Sequence, residues 1–261
     1  MEKINLQGDI YMDTIILNKV TKTLGKIKRI DDFSFSVKSG EIFALLGPNG
    51  SGKSTLIKLI TGMLKADAGE VKVMGLDPVK DKKIVRTKIG LVPQETALYP
   101  ELSAYDNLEF HAALYLPKLD NVKKRIYEML ELVELNERSK EPVENYSGGM
   151  KRRLAISRAL LTDPDILLLD EPTLGVDVQG THKIWEYIQR FGTLGKTVLV
   201  TTNIMQEADL FCDNVLIMDH GKKIVQGSPL ELKSQLGDDK IVISLKPQNT
   251  GGTNQSKGWR F

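Results

Sequence analysis

The apolar run Ile42-Phe43-Ala44-Leu45-Leu46 leads straight into Gly47-Pro48-Asn49-Gly50-Ser51-Gly52-Lys53-Ser54-Thr55. Apolar residues then recur at helical spacing at Leu56, Ile57, Leu59, Ile60 and Met63. A continuous apolar run reads as a strand buried on both faces, as in a parallel sheet covered by helices. Strand, glycine loop and helix in immediate succession restrict the chain to an α/β fold with a phosphate-binding turn at a strand end. Glycines at 47, 50 and 52 let the backbone curl so that its N–H groups point inward at phosphate oxygens. The helix beginning near Lys53 adds its positive dipole end. Lys53 then reaches β- and γ-phosphates, and the Ser54 hydroxyl is a ligand for Mg²⁺.

A second buried strand ends in two carboxylates, Ile166-Leu167-Leu168-Leu169-Asp170-Glu171-Pro172. The ends of such strands are where α/β sheets present ligand-binding residues. Asp170 is placed to hold Mg²⁺ directly or through water. Glu171 points toward the same pocket and is placed to orient or deprotonate an attacking water. A turn at Ser147-Gly148-Gly149 opens a helix expected over Met150 to Leu161, which makes a second anion-binding helix end. One chain therefore carries two phosphate-binding ends far apart in sequence. Lys151, Arg152 and Arg153 follow that turn, and at least two of the three are expected on a solvated helix face.

Thr14 to Val20 and Phe33 to Val37 read as early strands. Helices are expected over Leu102 to Leu116 and Val122 to Leu135, punctuated by Pro100, Pro117 and Pro142. Residues 96–160 thus read as a helical insertion in an α/β core. The core resumes with the strand at Ile166, a helix around His182 to Phe191, the strand Thr197 to Thr202 and a hairpin near Asp219-His220-Gly221. Residues 1–12 read as a polar lead-in, and the stretch beyond Lys246 as a polar, disordered tail.

Composition adds exclusions. The 261 residues are 41% hydrophobic and 27% charged, which suits a globular protein with a core. A formal charge of +2 spread along the chain gives no concentrated basic face for nucleic acid. A single cysteine, Cys212, forms no internal disulfide and reads as a buried packing thiol in a cytosolic setting. The N-terminus lacks the apolar stretch of a signal peptide. No apolar run approaches the roughly 20 residues that span a bilayer, so a membrane role needs a partner chain.

Taken together, the loop at 47–55, the segment Tyr146-Ser147-Gly148-Gly149-Met150 and the Asp170-Glu171 strand resemble the ABC (ATP-binding cassette) transporter nucleotide-binding subunit. The resemblance covers about residues 14 to 235. It implies a P-loop NTPase fold with a mixed sheet core, an N-terminal antiparallel β subdomain and an inserted helical subdomain. It divides the chain into an ATP-binding domain at 13–235 and an extension at 236–261. It implies ATP and Mg²⁺ as cofactors, and as partners a transmembrane permease and a second copy or homologous ATP-binding subunit at the cytoplasmic face of the cell membrane. Gln94 then matches the family's Mg²⁺-sensing, permease-coupling glutamine. Ser147, Gly148 and Gly149 match the signature that clasps the γ-phosphate bound by the opposite protomer, and Asp177 matches an interface loop. Ser54, Gln94 and Asp170 form the implied metal set. The run Ser147 to Leu154, with Gly175-Val176-Asp177, resembles the branch serving small exporters of drugs, lipids or sodium.

Three positions depart from the family pattern. Met150 replaces the usual glutamine. Leu24 stands where an aromatic usually stacks on adenine, which implies an apolar, non-aromatic contact. Asn203 stands after Thr202 where a histidine usually contacts the γ-phosphate. Asparagine donates a hydrogen bond but carries no charge. Losing one charge-assisted contact in the transition state slows hydrolysis by roughly 10²-fold. The remaining histidines, His111, His182 and His220, read as structural or exposed, and Trp185 as a core or interface anchor. Two alternatives stay open: a slow or non-hydrolysing regulatory cassette, and a soluble module of the same kind acting on ribosomes or DNA.

Overall fold

The computed structural model describes residues 3–4, 10–11, 13–117 and 120–236. The polar tail read from the sequence lies outside the described residues. The lead-in holds two short strands, β1 (Lys3–Ile4) and β2 (Ile10–Tyr11), paired antiparallel. Next, β3 (Asp13–Leu24) and β4 (Ile27–Lys38) form a long antiparallel ribbon that turns at Gly25. β5 (Ile42–Leu46) and α1 (Lys53–Ile60) frame the glycine loop. β6 (Ala68–Val73) returns to pair with β3, giving a three-stranded antiparallel sheet in the order β4-β3-β6.

α2 (Lys82–Lys88) and β7 (Ile89–Val92) precede three helices, α3 (Ala104–Tyr115), α4 (Val122–Leu132) and α5 (Gly148–Leu160). β8 (Ile166–Asp170), α6 (Val178–Thr193), β9 (Thr197–Thr202) and α7 (Met205–Phe211) then alternate. The hairpin of β10 (Asn214–Asp219) and β11 (Lys222–Gly227) leads to α8 (Pro229–Leu236). The main sheet runs β11-β10-β5-β9-β8-β7, parallel throughout except at the β10–β11 hairpin. This is the mixed sheet, antiparallel sheet and helical insertion of an α/β P-loop fold.

Alternation within the buried strands decides which layer each residue serves. Ile42, Ala44 and Leu46 of β5 face a core shared with α3 to α6, whereas Phe43 and Leu45 face the core shared with α1 and the antiparallel sheet. β8 divides the same way, Leu167 and Leu169 against Ile166 and Leu168. A strand buried on both faces has no polar side, so its sequence is apolar throughout. Trp185 is fully buried on α6 and stacks on Phe211 with ring centroids 4.8 Å apart.

Several boundaries differ from the sequence reading for local reasons. α3 starts at Ala104 because Ser103 caps it, its Oγ accepting from the Asp106 amide at 3.1 Å. That satisfies one of the free N–H groups of the first turn. β3 continues past Val20 to Leu24 because β4 offers it a partner as far as Ile27. β6 gave no signal in the sequence: it is an edge strand of its sheet, and only Val73 in it is buried.

Candidate functional site

β5, β9 and β8 are neighbours in the sheet, so the segments that follow them emerge at one edge. Those segments carry the glycine loop, Asn203 and Glu171. The end of β9 ties the other two together. The Gly47 amide donates to the Thr202 carbonyl at 3.3 Å. The Glu171 amide donates to the Thr201 carbonyl at 3.0 Å and lies 3.1 Å from its hydroxyl. That hydroxyl in turn donates to the buried Asp170 carboxylate.

Two loop positions admit only glycine. Gly52, the N-cap of α1, has φ 115°, and a Cβ there would lie 2.9 Å from the Arg29 carbonyl oxygen. At Gly47 a Cβ would lie 2.4 Å from the Met218 carbonyl oxygen. Lys53 is 5% exposed. Its ammonium donates to the carbonyls of Gly47 at 2.7 Å and Pro48 at 3.2 Å, and pairs with Glu171 Oε1 at 3.3 Å. Glu171 itself has a left-handed backbone with φ 47°. For a residue with a long side chain that conformation costs about 1–3 kcal/mol and persists only where its surroundings over-determine it. The two contacts with Thr201 do so here. The side chain thereby swings off the strand line and into the space beside Lys53.

A cavity of about 330 Å³ opens at this edge. It brings together Asn49, Gly50, Gly52, Lys53, Ser54 and Thr55 of the loop with Gln94, Glu171 and Leu24. Gly47, Pro48 and Ser51 do not line it: the carbonyls of Gly47 and Pro48 accept from Lys53, and Ser51 is buried with its carbonyl accepting from the Gly221 amide. Asp170 is buried behind Glu171, and Asn203 is exposed at the end of β9; neither lines the cavity. Leu24 is 40% exposed, and Arg29 lies with it on the cavity wall. Ser54 and Gln94 bring oxygen donors to the cavity, the hard ligand type that Mg²⁺ takes in preference to nitrogen or sulfur, whereas the Asp170 carboxylate is buried behind it and engaged by Thr201.

Ser147, Gly148 and Gly149 do not line this cavity. Ser147 caps α5, its Oγ accepting from the Met150 amide at 3.3 Å. A Cβ at Gly148 or Gly149 would meet its nearest neighbours at 3.5 and 3.4 Å, ordinary contact distances, and neither φ is positive. The chain's own packing therefore does not demand glycine at either position. Asp177 is exposed and caps α6, its carboxylate accepting from the Gly180 amide at 2.7 Å.

The expectation of a solvated Lys151-Arg152-Arg153 face is wrong for two of the three. Arg153 reaches the Val133 carbonyl at 2.8 Å and is only 15% exposed at its side chain. Arg152 is 4% exposed. Its guanidinium donates to the carbonyls of Asp170 (2.5 Å), Pro172 (2.8 Å), Pro93 (2.6 Å) and Gln94 (3.3 Å). Burial pulls its pKa down to about 10, opposed by Asp170 and Glu171, which leaves it charged at neutral pH. The signal available in the sequence was its place on α5, on the side of the buried Ile156 and Ala159.

The histidines stay outside the cavity. Burial, with Arg158 nearby, lowers the His111 pKa to about 4, so it is neutral. His182 and His220 are exposed. Cys212 is buried, which pushes its thiol up to about 12 and leaves it inert as a nucleophile.

The sheet order, the glycine loop with its lysine and the paired carboxylates define a P-loop ATPase cassette. The family description ABC transporter matches residues 30–174. The chain belongs to the ABC transporter ATP-binding family. It is 44% identical over 223 residues to the linearmycin resistance ATP-binding protein LnrL of Bacillus subtilis, covering 85% of this chain and 72% of that one. It is 41% identical over 231 residues to the Nod factor export ATP-binding protein I of Sinorhizobium fredii, covering 88% and 67%. Among solved structures, cbiO1 from Clostridium perfringens, part of the ABC transporter complex cbiONQ, superposes with a TM-score of 0.78 at 29% identity, covering 86% of this chain and 92% of that one. A dimeric ATP-binding cassette in a post-hydrolysis state, bound to ADP and Pi, superposes with a TM-score of 0.73 at 32% identity, covering 82% and 98%. As a member of this family the chain is an ATPase subunit that works with a transmembrane permease and a second cassette.

Proposed function

We propose that this chain hydrolyses Mg-ATP at a site shared between two cassettes and so powers export through a separate permease at the cytoplasmic face of the membrane. No helix among the described residues is long and apolar enough to cross a membrane, so the permease is a separate chain in this reading. The exporter assignment rests on the relatives named for linearmycin resistance and Nod factor export. Their names also favour transport over a role on ribosomes or DNA.

The observation that carries the shared site is the position of Ser147, Gly148 and Gly149. They form an exposed anion-binding helix end, outside the chain's own cavity, with two glycines that internal packing does not require. Close approach of a phosphate from a second cassette supplies the missing reason for glycine. In this arrangement the loop amides of 47–53 and Lys53 bind the phosphates, with Ser54, Asp170 and Gln94 as the oxygen donors for Mg²⁺. When bound there, the metal would supply charge neutralisation for the transferred phosphoryl group. Glu171 exchanges its ion pair with Lys53 for the attacking water, which it orients and deprotonates. Asp177 lies on the exposed segment that leads into α6, beside the same interface.

The permease docks, in the same reading, in a second cavity of about 430 Å³ bounded by Leu91, Pro93, Tyr99, Phe110, Leu114 and Tyr115, among others. It begins beside Gln94, and its rim exposes Tyr99, Phe110, Leu114 and Tyr115. An apolar, aromatic rim of this kind is the composition of a protein interface.

Sedimentation of the full-length Glu171→Gln variant tests the shared site. With ATP it should shift from monomer to dimer. Adding Gly148→Asp should abolish that shift while one-site ATP binding persists, because the new carboxylate faces the partner's phosphates. Equal dimerisation of both variants would remove the basis for the shared site.

A further inference from the structure

Arg152 is a buried cation with no acidic partner within 4 Å among the described residues; its hydrogen bonds go to backbone carbonyls. A buried charge held in this way is an expensive way to fill a core position, and an apolar residue of similar volume usually serves packing as well or better. The carbonyls are specific ones. Asp170 and Pro172 flank Glu171, and Pro93 and Gln94 belong to the segment that follows β7. Arg152 stands five residues after Ser147, roughly 7–8 Å along the helix from the exposed anion-binding end. A planar fork of five N–H donors spans these acceptors, whereas a lysine ammonium is a point donor.

We propose that Arg152 is a positioning residue that locks the backbone on both sides of Glu171, and that of Gln94, to helix α5. The seating of one nucleotide against the Ser147 end of α5 is thereby transmitted to the hydrolytic residues of the chain's own site. The proposal rests on the reading of Glu171 as the base and of α5 as the clasp for the partner's nucleotide. It adds a rigid connection, within one chain, between the two shared sites. ATP binding to Lys53 and the loop amides does not depend on it, but the placement of Glu171 does. A misplacement of about 1 Å at a reacting group lowers turnover by roughly 10²-fold.

The test compares full-length Arg152→Lys and Arg152→Met with the parent and with Glu171→Gln. Affinity is measured by titration with a fluorescent ATP analogue, kcat and KM by steady-state hydrolysis, and folding by melting temperature. Both Arg152 variants should bind the analogue within about twofold of the parent, keep KM, and lose about 10–100-fold in kcat. Both variants should melt near the parent, and Arg152→Lys, which keeps the charge, should still not recover kcat. If Arg152→Met fails to fold, Arg152→Lys decides alone. A kcat for Arg152→Lys within twofold of the parent overturns the proposal. So does a parallel loss of affinity and kcat, or failure of Arg152→Lys to fold, since each makes Arg152 a scaffold residue. Parental hydrolysis by Glu171→Gln would instead remove Glu171 as the base, and is read separately from the Arg152 result.

Discussion

Glu171 and Asn203 sit at the ends of adjacent strands and differ in how firmly they are held. Glu171 is pinned by Thr201, forced into a left-handed backbone and paired with Lys53. Asn203 is exposed and lies outside the cavity lining. A neutral amide here offers no charge to a developing phosphate, so turnover is expected to be slow with ATP affinity intact. Asn203→His should raise kcat by about 10- to 100-fold with the permease present and leave ATP affinity nearly unchanged, since a charge-assisted contact replaces a neutral one. Turnover of both forms in the assembled transporter checks this, and no gain would mean that residue 203 does not face the phosphate. Leu24 gives a binding prediction at the same scale. Its side chain shares the cavity wall with Arg29, and Leu24→Tyr should tighten ATP binding by about 1–3 kcal/mol through stacking on the base. Calorimetric titration of both forms with ATP decides it; equal affinities would place the adenine elsewhere.

Helix α5 carries more than its sequence announced. Its serine-capped N-terminal end is exposed, its middle packs against α3, α4, α6 and β7, and its Arg152 reaches the segments after both β7 and β8. The apolar residues of α5 and the turn at Ser147-Gly148-Gly149 that opens it were legible from residue type alone. The partners of Arg152 were not, because they are backbone carbonyls from segments 18 to 59 residues away. α3 presents the opposite case. Phe110 is half exposed and packs edge-on against Tyr99 at 5.2 Å on the rim of the second cavity. If the permease docks there, Phe110→Glu should leave ATP binding by the isolated chain unchanged but abolish co-purification with the permease, because a carboxylate would have to be buried in an apolar contact. Retained co-purification would move the docking surface off α3.

Across the whole molecule, the sheet separates two cores and Trp185 anchors the larger one. It is fully buried and stacks on Phe211 between α6 and α7. Trp185→Ala should lower stability by about 3–5 kcal/mol, measured by denaturant titration, since little can collapse into the cavity left between a helix and a sheet. A loss under 1 kcal/mol would mean that α6 settles inward. The sequence by itself determined the strands at 42–46, 166–170 and 197–202, the glycine loop, the paired carboxylates and the Ser-Gly-Gly turn that opens α5. Each of those rests on interactions within a few residues: apolar runs, glycine dihedrals, helix-end N–H groups. Only the tertiary structure decided that β9 lies between β5 and β8, which sets Lys53 beside Glu171. It also left the Ser147 end outside its own cavity, buried Arg152 and drew an edge strand from a polar segment. Those outcomes depend on which segments become neighbours, and strand order and carbonyl partners leave no periodicity in the chain.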